Sequence, residues 1–174
     1  MATKAAAKKS ASLGDLEAIY RAIDRVQAVI EFNLDGTVIT ANQNFLDIFG
    51  YTLGEVQGQH HRIFCESSYA SSPEYAEFWA KLAKGEFEKA EFKRFAKDGR
   101  EIWLRASYNP VFDNNGNVVR VIKFATDVTK EKLQTAEYEG KIRAIDRVQA
   151  VIEFNLDGTV ITANQNFLDI FGYT

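Results

Sequence analysis

The sequence is poor in the residues that commit a chain to a special chemistry. Its 174 residues hold one cysteine, one methionine, two histidines and two prolines. The lone cysteine, Cys65, cannot close an intramolecular disulfide and fits a reducing, cytoplasmic compartment. No apolar run approaches the roughly 20 residues that a membrane-spanning helix needs. The amino terminus, MATKAAAKKSAS, is basic but lacks the apolar stretch of a secretion signal, so residues 1–12 are expected to be a disordered tail. A net charge of −3 implies no broad nucleic-acid surface and no attraction to an anionic membrane. There is no Gly-rich phosphate loop and no CxxC or HExxH motif. No spacing supports a histidine-based nucleophilic triad, so enzyme activity is not expected.

What the chain does have is a duplication. Residues 21–52, RAIDRVQAVIEFNLDGTVITANQNFLDIFGYT, recur letter for letter at 143–174. The spacing is too long for a solenoid unit and suits a small domain. One complete unit over roughly 21–142 is therefore expected, followed by the first quarter of a second.

The periodicities give the elements. Ser12-Leu13-Gly14-Asp15 has the form of a capping box. Leu16, Ile19, Tyr20, Ile23 and Val26 follow at helical spacing, which predicts a helix over 13–27. Ile30, Phe32 and Leu34 alternate with Val29, Glu31 and Asn33. Asp35-Gly36 then predicts a tight two-residue hairpin into Thr37–Thr40. Asn42 can cap a short helix carrying Phe45, Ile48 and Phe49, and Gly50 ends it. Thr52–Glu55 is a second capping box, and 56–71 reads as short helical turns and loop. Ser72-Pro73 opens a helix with Tyr75, Phe78, Trp79 and Leu82 on one side, which Gly85 stops. Strands over 86–96, 101–112 and 118–128 complete the unit, with Pro110 expected at an edge or bulge. A charged, helix-favouring linker occupies 130–148. Five strands, with helices between the second and third, give an α+β fold.

This order resembles a PAS domain. The resemblance rests on Asp35-Gly36 between the first strands, ITANQNFLDIFGY at 39–51, Lys97-Asp98-Gly99 before the fourth strand, and Asp127-Val128-Thr129 closing the fifth. It covers about 24–129, and 143–174 as a partial copy. It implies a five-stranded antiparallel sheet over 28–129, flanked by signalling helices over 13–27 and 130–148. FWAKLAKGEF and EIWLRASYNPVFD are most similar to the PAS modules of bacterial chemoreceptors, including aerotaxis receptors. The implied function is a cytoplasmic sensor of a small ligand or redox state that relays its signal through the flanking helices. The alternative is a ligand-free PAS that serves dimerisation and relay.

The resemblance also bears on cofactors. Light-sensing flavin PAS domains carry a cysteine where this chain has His61, and Cys65 lies four residues later, so that chemistry is excluded. Non-covalent FAD, as in aerotaxis receptors, is matched locally by Gly58-Gln59-His60-His61, by Trp79, and by Trp103-Leu104-Arg105-Ala106. Candidate cofactor contacts are therefore His61, Trp79, His60, Arg62 and Trp103. An indole can stack on a flavin, and His or Arg can meet phosphates. Haem is the weaker reading: no histidine lies in the long helix over 73–84, which leaves His60 or His61 as ligands. The bland readings are helix-end hydrogen bonding for the histidines and core packing for Trp79.

Three structural expectations follow. Ile30, Phe32, Phe45, Phe49, Phe78, Trp79, Leu104 and Ile122 should be largely buried. The apolar face of helix 13–27 should pair two chains, and a neighbouring PAS or signalling domain is the further partner. Residues 143–174 should stay outside the fold. Exchange between chains or displacement of 21–52 are the alternatives.

Overall fold

The computed structural model describes residues 12–173. Apart from Ser12, the tail expected over 1–12 lies outside them. The described chain divides into two compact units, one ending at Thr129 and the other beginning at Lys130.

In the first unit the elements run α1 (Leu13–Asp24), β1 (Ala28–Phe32), β2 (Val38–Ala41), α2 (Gln43–Phe49), α3 (Leu53–Val56), a 3-10 turn (His61–Phe64), α4 (Ser67–Ala70), α5 (Pro73–Ala83), β3 (Glu88–Phe95), β4 (Glu101–Phe112) and β5 (Val118–Asp127). The strands form one antiparallel sheet in the order β2-β1-β5-β4-β3. The caps form where the sequence places them. Ser12 and Asp15 bond reciprocally, Asn42 accepts from the Phe45 amide, and Ser72 accepts from the Tyr75 amide. α1 ends at Asp24, short of the expected 27.

Two local expectations change. The β1–β2 connection is not a two-residue turn. Asn33 N donates to Thr37 O at 2.8 Å, and Phe32 pairs with Val38 across a register shift. The Asp35 carboxylate accepts from the Thr37 amide and hydroxyl, which favours this longer loop over a bare Asp-Gly hairpin. Ile122 is only half-buried. β5 turns Val121, Lys123 and Ala125 inward instead. The cause is the pairing: Phe32, Ile30 and Ala28 stand opposite those three residues and share their face. Pro110 behaves as expected in a less obvious way. β3 pairs with β4 only as far as Tyr108, so Pro110 has a partner on the β5 side and none on the other.

The core lies between the inward face of the sheet and the helices inserted between β2 and β3. Ile30, Phe32, Phe45, Phe49, Phe78, Trp79 and Leu104 are all buried there. On α1, Leu13, Leu16, Ile19 and Tyr20 remain exposed, as does Val26 just after it.

The second unit contains α6 (Thr129–Val148, its first residue shared with the first unit), β6 (Ile152–Phe154), β7 (Val160–Ala163) and α7 (Gln165–Phe171). β6 and β7 form a two-stranded sheet of their own. The copied sequence repeats its local structure closely. Asn164 accepts from the Val151 and Phe167 amides, as Asn42 does from Val29 and Phe45.

Candidate functional site

The site begins with the β1–β2 loop. Its backbone pairs with the segment before the 3-10 turn: Val38 N donates to Gln59 O, Gly58 N to Val38 O, and His61 N to Gly36 O. Gly36 has φ +86°, and a Cβ there would stand 2.9 Å from both the His60 ring and Trp79. The glycine thus lets the loop press against this segment and fixes His60 and His61 in place.

His61 is almost wholly buried. Its Nδ1 lies 3.0 Å from Tyr75 Oη and its Nε2 2.9 Å from Tyr108 Oη. The ring stacks on Tyr75, and Phe32 and Trp79 approach it edge-on. Burial, reinforced by the positive charges of Arg94 and Lys123, holds its pKa well below the ordinary histidine value.

Tyr108, fully buried on β4, joins the histidine to two cations. Arg94 on β3 donates from Nη2 to Tyr108 Oη at 3.4 Å and from Nη1 to Lys93 O at 2.7 Å. Among the described residues its Nε has no hydrogen-bond partner. Lys123 on β5 places Nζ 4.8 Å from the centre of the Tyr108 ring. Arg94 is 3% exposed and Lys123 1%. Among the described residues neither has a carboxylate partner. Burial pushes the Lys123 ammonium well below its ordinary pKa and raises the Tyr108 hydroxyl to about 12. A polar centre of this kind inside an aromatic core is costly unless something compensates it.

The five residues expected at a cofactor divide. His61 and Trp79 lie together in the core, their ring centres 5.5 Å apart. His60 sits beside them, half-buried, with its ring centre 6.2 Å from Trp79. Arg62 is exposed. Trp103 alternates with the buried Ile102 and Leu104, so it lies on the outer face of the sheet, where its Nε1 donates to Glu101. Arg94, Tyr108 and Lys123 were missed. The signal was present in strand phase: Arg94 alternates with Phe92 and Ala96, and Lys123 with Val121 and Ala125.

Comparison with known proteins agrees with this fold. The PAS fold family matches residues 38–125, half of the chain. The chain belongs to the PAS family. A second PAS match covers residues 148–174, within the copied segment. The PAS chain is 43% identical over 152 residues to the biofilm dispersion protein BdlA of Pseudomonas aeruginosa, covering 87% of this chain and 36% of that protein. It is 30% identical over 105 residues to the aerotaxis receptor of Escherichia coli, covering 60% of this chain and 20% of that protein. A Light-Oxygen-Voltage domain studied with a flavin analogue superposes with a TM-score of 0.57 at 21% identity, covering 76% of this chain and 99% of that one. The chain spans about a third or less of the length of these curated relatives. It is a PAS sensor module of the signal-transduction type. Among the described residues no helix is long and apolar enough to cross a membrane.

Proposed function

We propose that the PAS core detects a ligand or redox state at the His61–Tyr108–Arg94–Lys123 centre and passes the change to the helices at its two ends. The observation that carries this reading is a buried polar network whose Lys123 sits on β5, paired with Ile30 of β1, so that it lies on the two strands that lead to the exits. On one side, Lys123 lies on β5, which runs into Asp127-Val128-Thr129. There Val128 N donates to Trp103 O and Trp103 N to Thr129 Oγ1, tying the first residue of α6 to β4. On the other side, the Asn42 and Asn44 side chains donate to Asp24 O and Gln27 O and anchor the end of α1 beside β1. A ligand that binds two arrangements of the strands with different affinity shifts the population of both helices.

Hydrogen exchange tests it. Cell-extract small molecules, or a change from oxidising to reducing buffer, should alter amide exchange in α1 and in 130–148. Exchange at both helices unmoved by every such condition overturns the sensor reading in favour of a ligand-free relay.

Flavin is the second reading, supported by the likeness to the Light-Oxygen-Voltage domain and the aerotaxis receptor. As packed, Trp79 is buried among Phe32, His60, His61 and Phe78, which leaves it no open face for stacking. The absorption spectrum of the purified chain decides: a blue-region flavin band that Trp79→Ala removes would establish it. Haem has less support, because tyrosine hydroxyls lie within hydrogen-bond distance of both His61 ring nitrogens.

The receptor of the signal is, in the same proposal, a second copy of the chain and a neighbouring PAS or signalling domain. Leu16 and Ile19 are each more than half exposed on α1. Ile19→Glu together with Ile23→Glu should move the sedimentation coefficient from dimer to monomer. A parent chain that already sediments as a monomer would end the dimer proposal.

A further inference from the structure

We propose that the PAS interior binds a small organic monocarboxylate, gripped by the Nε/Nη2 edge of Arg94 with Lys123 and Tyr108 alongside. This rests on the sensor reading and gives its ligand a chemical class.

Unmet hydrogen bonds mark the place. Buried charges are normally paired, because an isolated one is costly to take out of water. Here the Arg94 guanidinium and the Lys123 amine are buried around one phenol, and among the described residues neither meets a carboxylate. The Arg94 guanidinium is used unevenly. Nη1 is satisfied by Lys93 O at 2.7 Å, Nη2 makes only a 3.4 Å bond, and Nε makes none. Nε and Nη2 share one edge of the planar group. Two parallel N–H bonds from that edge match the two oxygens of a carboxylate, a geometry that a spherical halide cannot use. Phe92 and Tyr69 lie against the guanidinium at 5.0 and 5.8 Å and hold its plane. Tyr108 on the adjacent β4 and Lys123 beyond it on β5 would add donors.

The approach is also defined. A groove of about 330 Å³, lined by Glu66, Tyr69, Glu91, Phe92, Lys93 and Arg94, opens beside the arginine at the β3 edge of the sheet. Its rim carries Glu66 and Glu91, the latter ion-paired with Arg105 at 3.1 Å. A second anionic group at the far end of the ligand would face these carboxylates. One carboxylate with an apolar body is therefore preferred over a dicarboxylate.

Such a ligand also has a route to a signal. It would draw β3 and β5 towards β4 through Arg94 and Lys123, and β5 ends where α6 begins.

The test uses the full chain and thermal melting at fixed ionic strength, with acetate, butyrate, succinate and inorganic phosphate as probes and chloride as the control. Acetate and butyrate should raise the melting midpoint above the chloride reference, and succinate should raise it less. Arg94→Lys keeps the charge and loses the fork, so monocarboxylate affinity should fall roughly tenfold or more. Lys123→Met should weaken it as well while remaining folded. No monocarboxylate effect, an undiminished effect in Arg94→Lys, or a response to phosphate alone would overturn the proposal. If carboxylates fail while extract still alters exchange in α1 and 130–148, the carboxylate assignment falls and the sensor reading stands.

Discussion

Phe32→Asp is expected to unfold the PAS domain, while Phe154→Asp, the same change in an identical stretch of sequence, is expected to be nearly silent. Phe32 is fully buried, and its ring packs against His61, Trp79 and Tyr108. Phe154 is 54% exposed. Losing a core phenylalanine costs about 3–5 kcal/mol, and an unpaired buried carboxylate adds to that. A small domain has only about 5–15 kcal/mol in total, so Phe32→Asp should leave little or no cooperative transition. At position 154 the carboxylate meets water, and a surface change of this kind stays within about 0.5 kcal/mol. Urea unfolding followed by tryptophan fluorescence checks both, since Trp79 and Trp103 lie in the first unit. Equal losses, or a stable Phe32→Asp protein, would mean that residues 143–174 take a place in the sheet.

The same pair of segments separates what is local from what is tertiary. In both copies the sequence forms strand, loop, strand and capped helix with nearly the same bonds. Phe45 and Phe49 stack at 4.4 Å, and Phe167 and Phe171 meet at 4.5 Å. Phe49 is nevertheless fully buried and Phe171 is 59% exposed. Capping residues, turn residues and alternation act over a few positions, so they were legible. Burial depends on what packs against the element, and only the first copy has α5 and β3–β5 within its own unit.

The site was legible in part for the same reason. His61 and Trp79 could be found because they lie in short motifs. Trp103 could not be excluded by motif, because only its phase between Ile102 and Leu104 puts it on the outer face. Lys123 escaped because hydrophobicity favours Ile122 as the core residue of that strand. Reading β5 against β1 removes the ambiguity: Ile30 and Phe32 face inward, and their partners Lys123 and Val121 must do so too. Arg94 needed the same step, through its alternation with Phe92.

Lys123→Met is expected to stabilise the domain at neutral pH and to change how its stability depends on pH. The groups that act on Lys123 are Arg94, which disfavours its charge, the Tyr108 ring beneath it, and the Cys65 thiol. Burial is the largest influence and depresses its pKa well below 10.5. Below its ordinary pKa, an unfolded chain carries this lysine protonated while the folded chain resists the proton. The unfolded state then binds more protons, so stability rises with pH by up to about 1.4 kcal/mol per unit for this one group. His61, also depressed, adds a rise of the same sign below its ordinary value of 6.5. The slope reverses at high pH. Burial raises the Cys65 thiol above 9.0 and Tyr108 to about 12, so the unfolded state loses those protons first. Wild-type stability should therefore climb with pH above the depressed lysine pKa, level off near about pH 9 where the thiol's opposite slope sets in, and fall above about pH 10. Methionine fills a similar space without the charge. The variant should gain on the order of 1–4 kcal/mol at pH 7, the scale seen when buried ionic groups give way to apolar ones, and it should lose the climb above neutrality. Urea midpoints measured from pH 6 to 10 decide the matter. A variant that is less stable at pH 7 and keeps the wild-type climb would show that Lys123 is held charged, by a partner that methionine cannot replace.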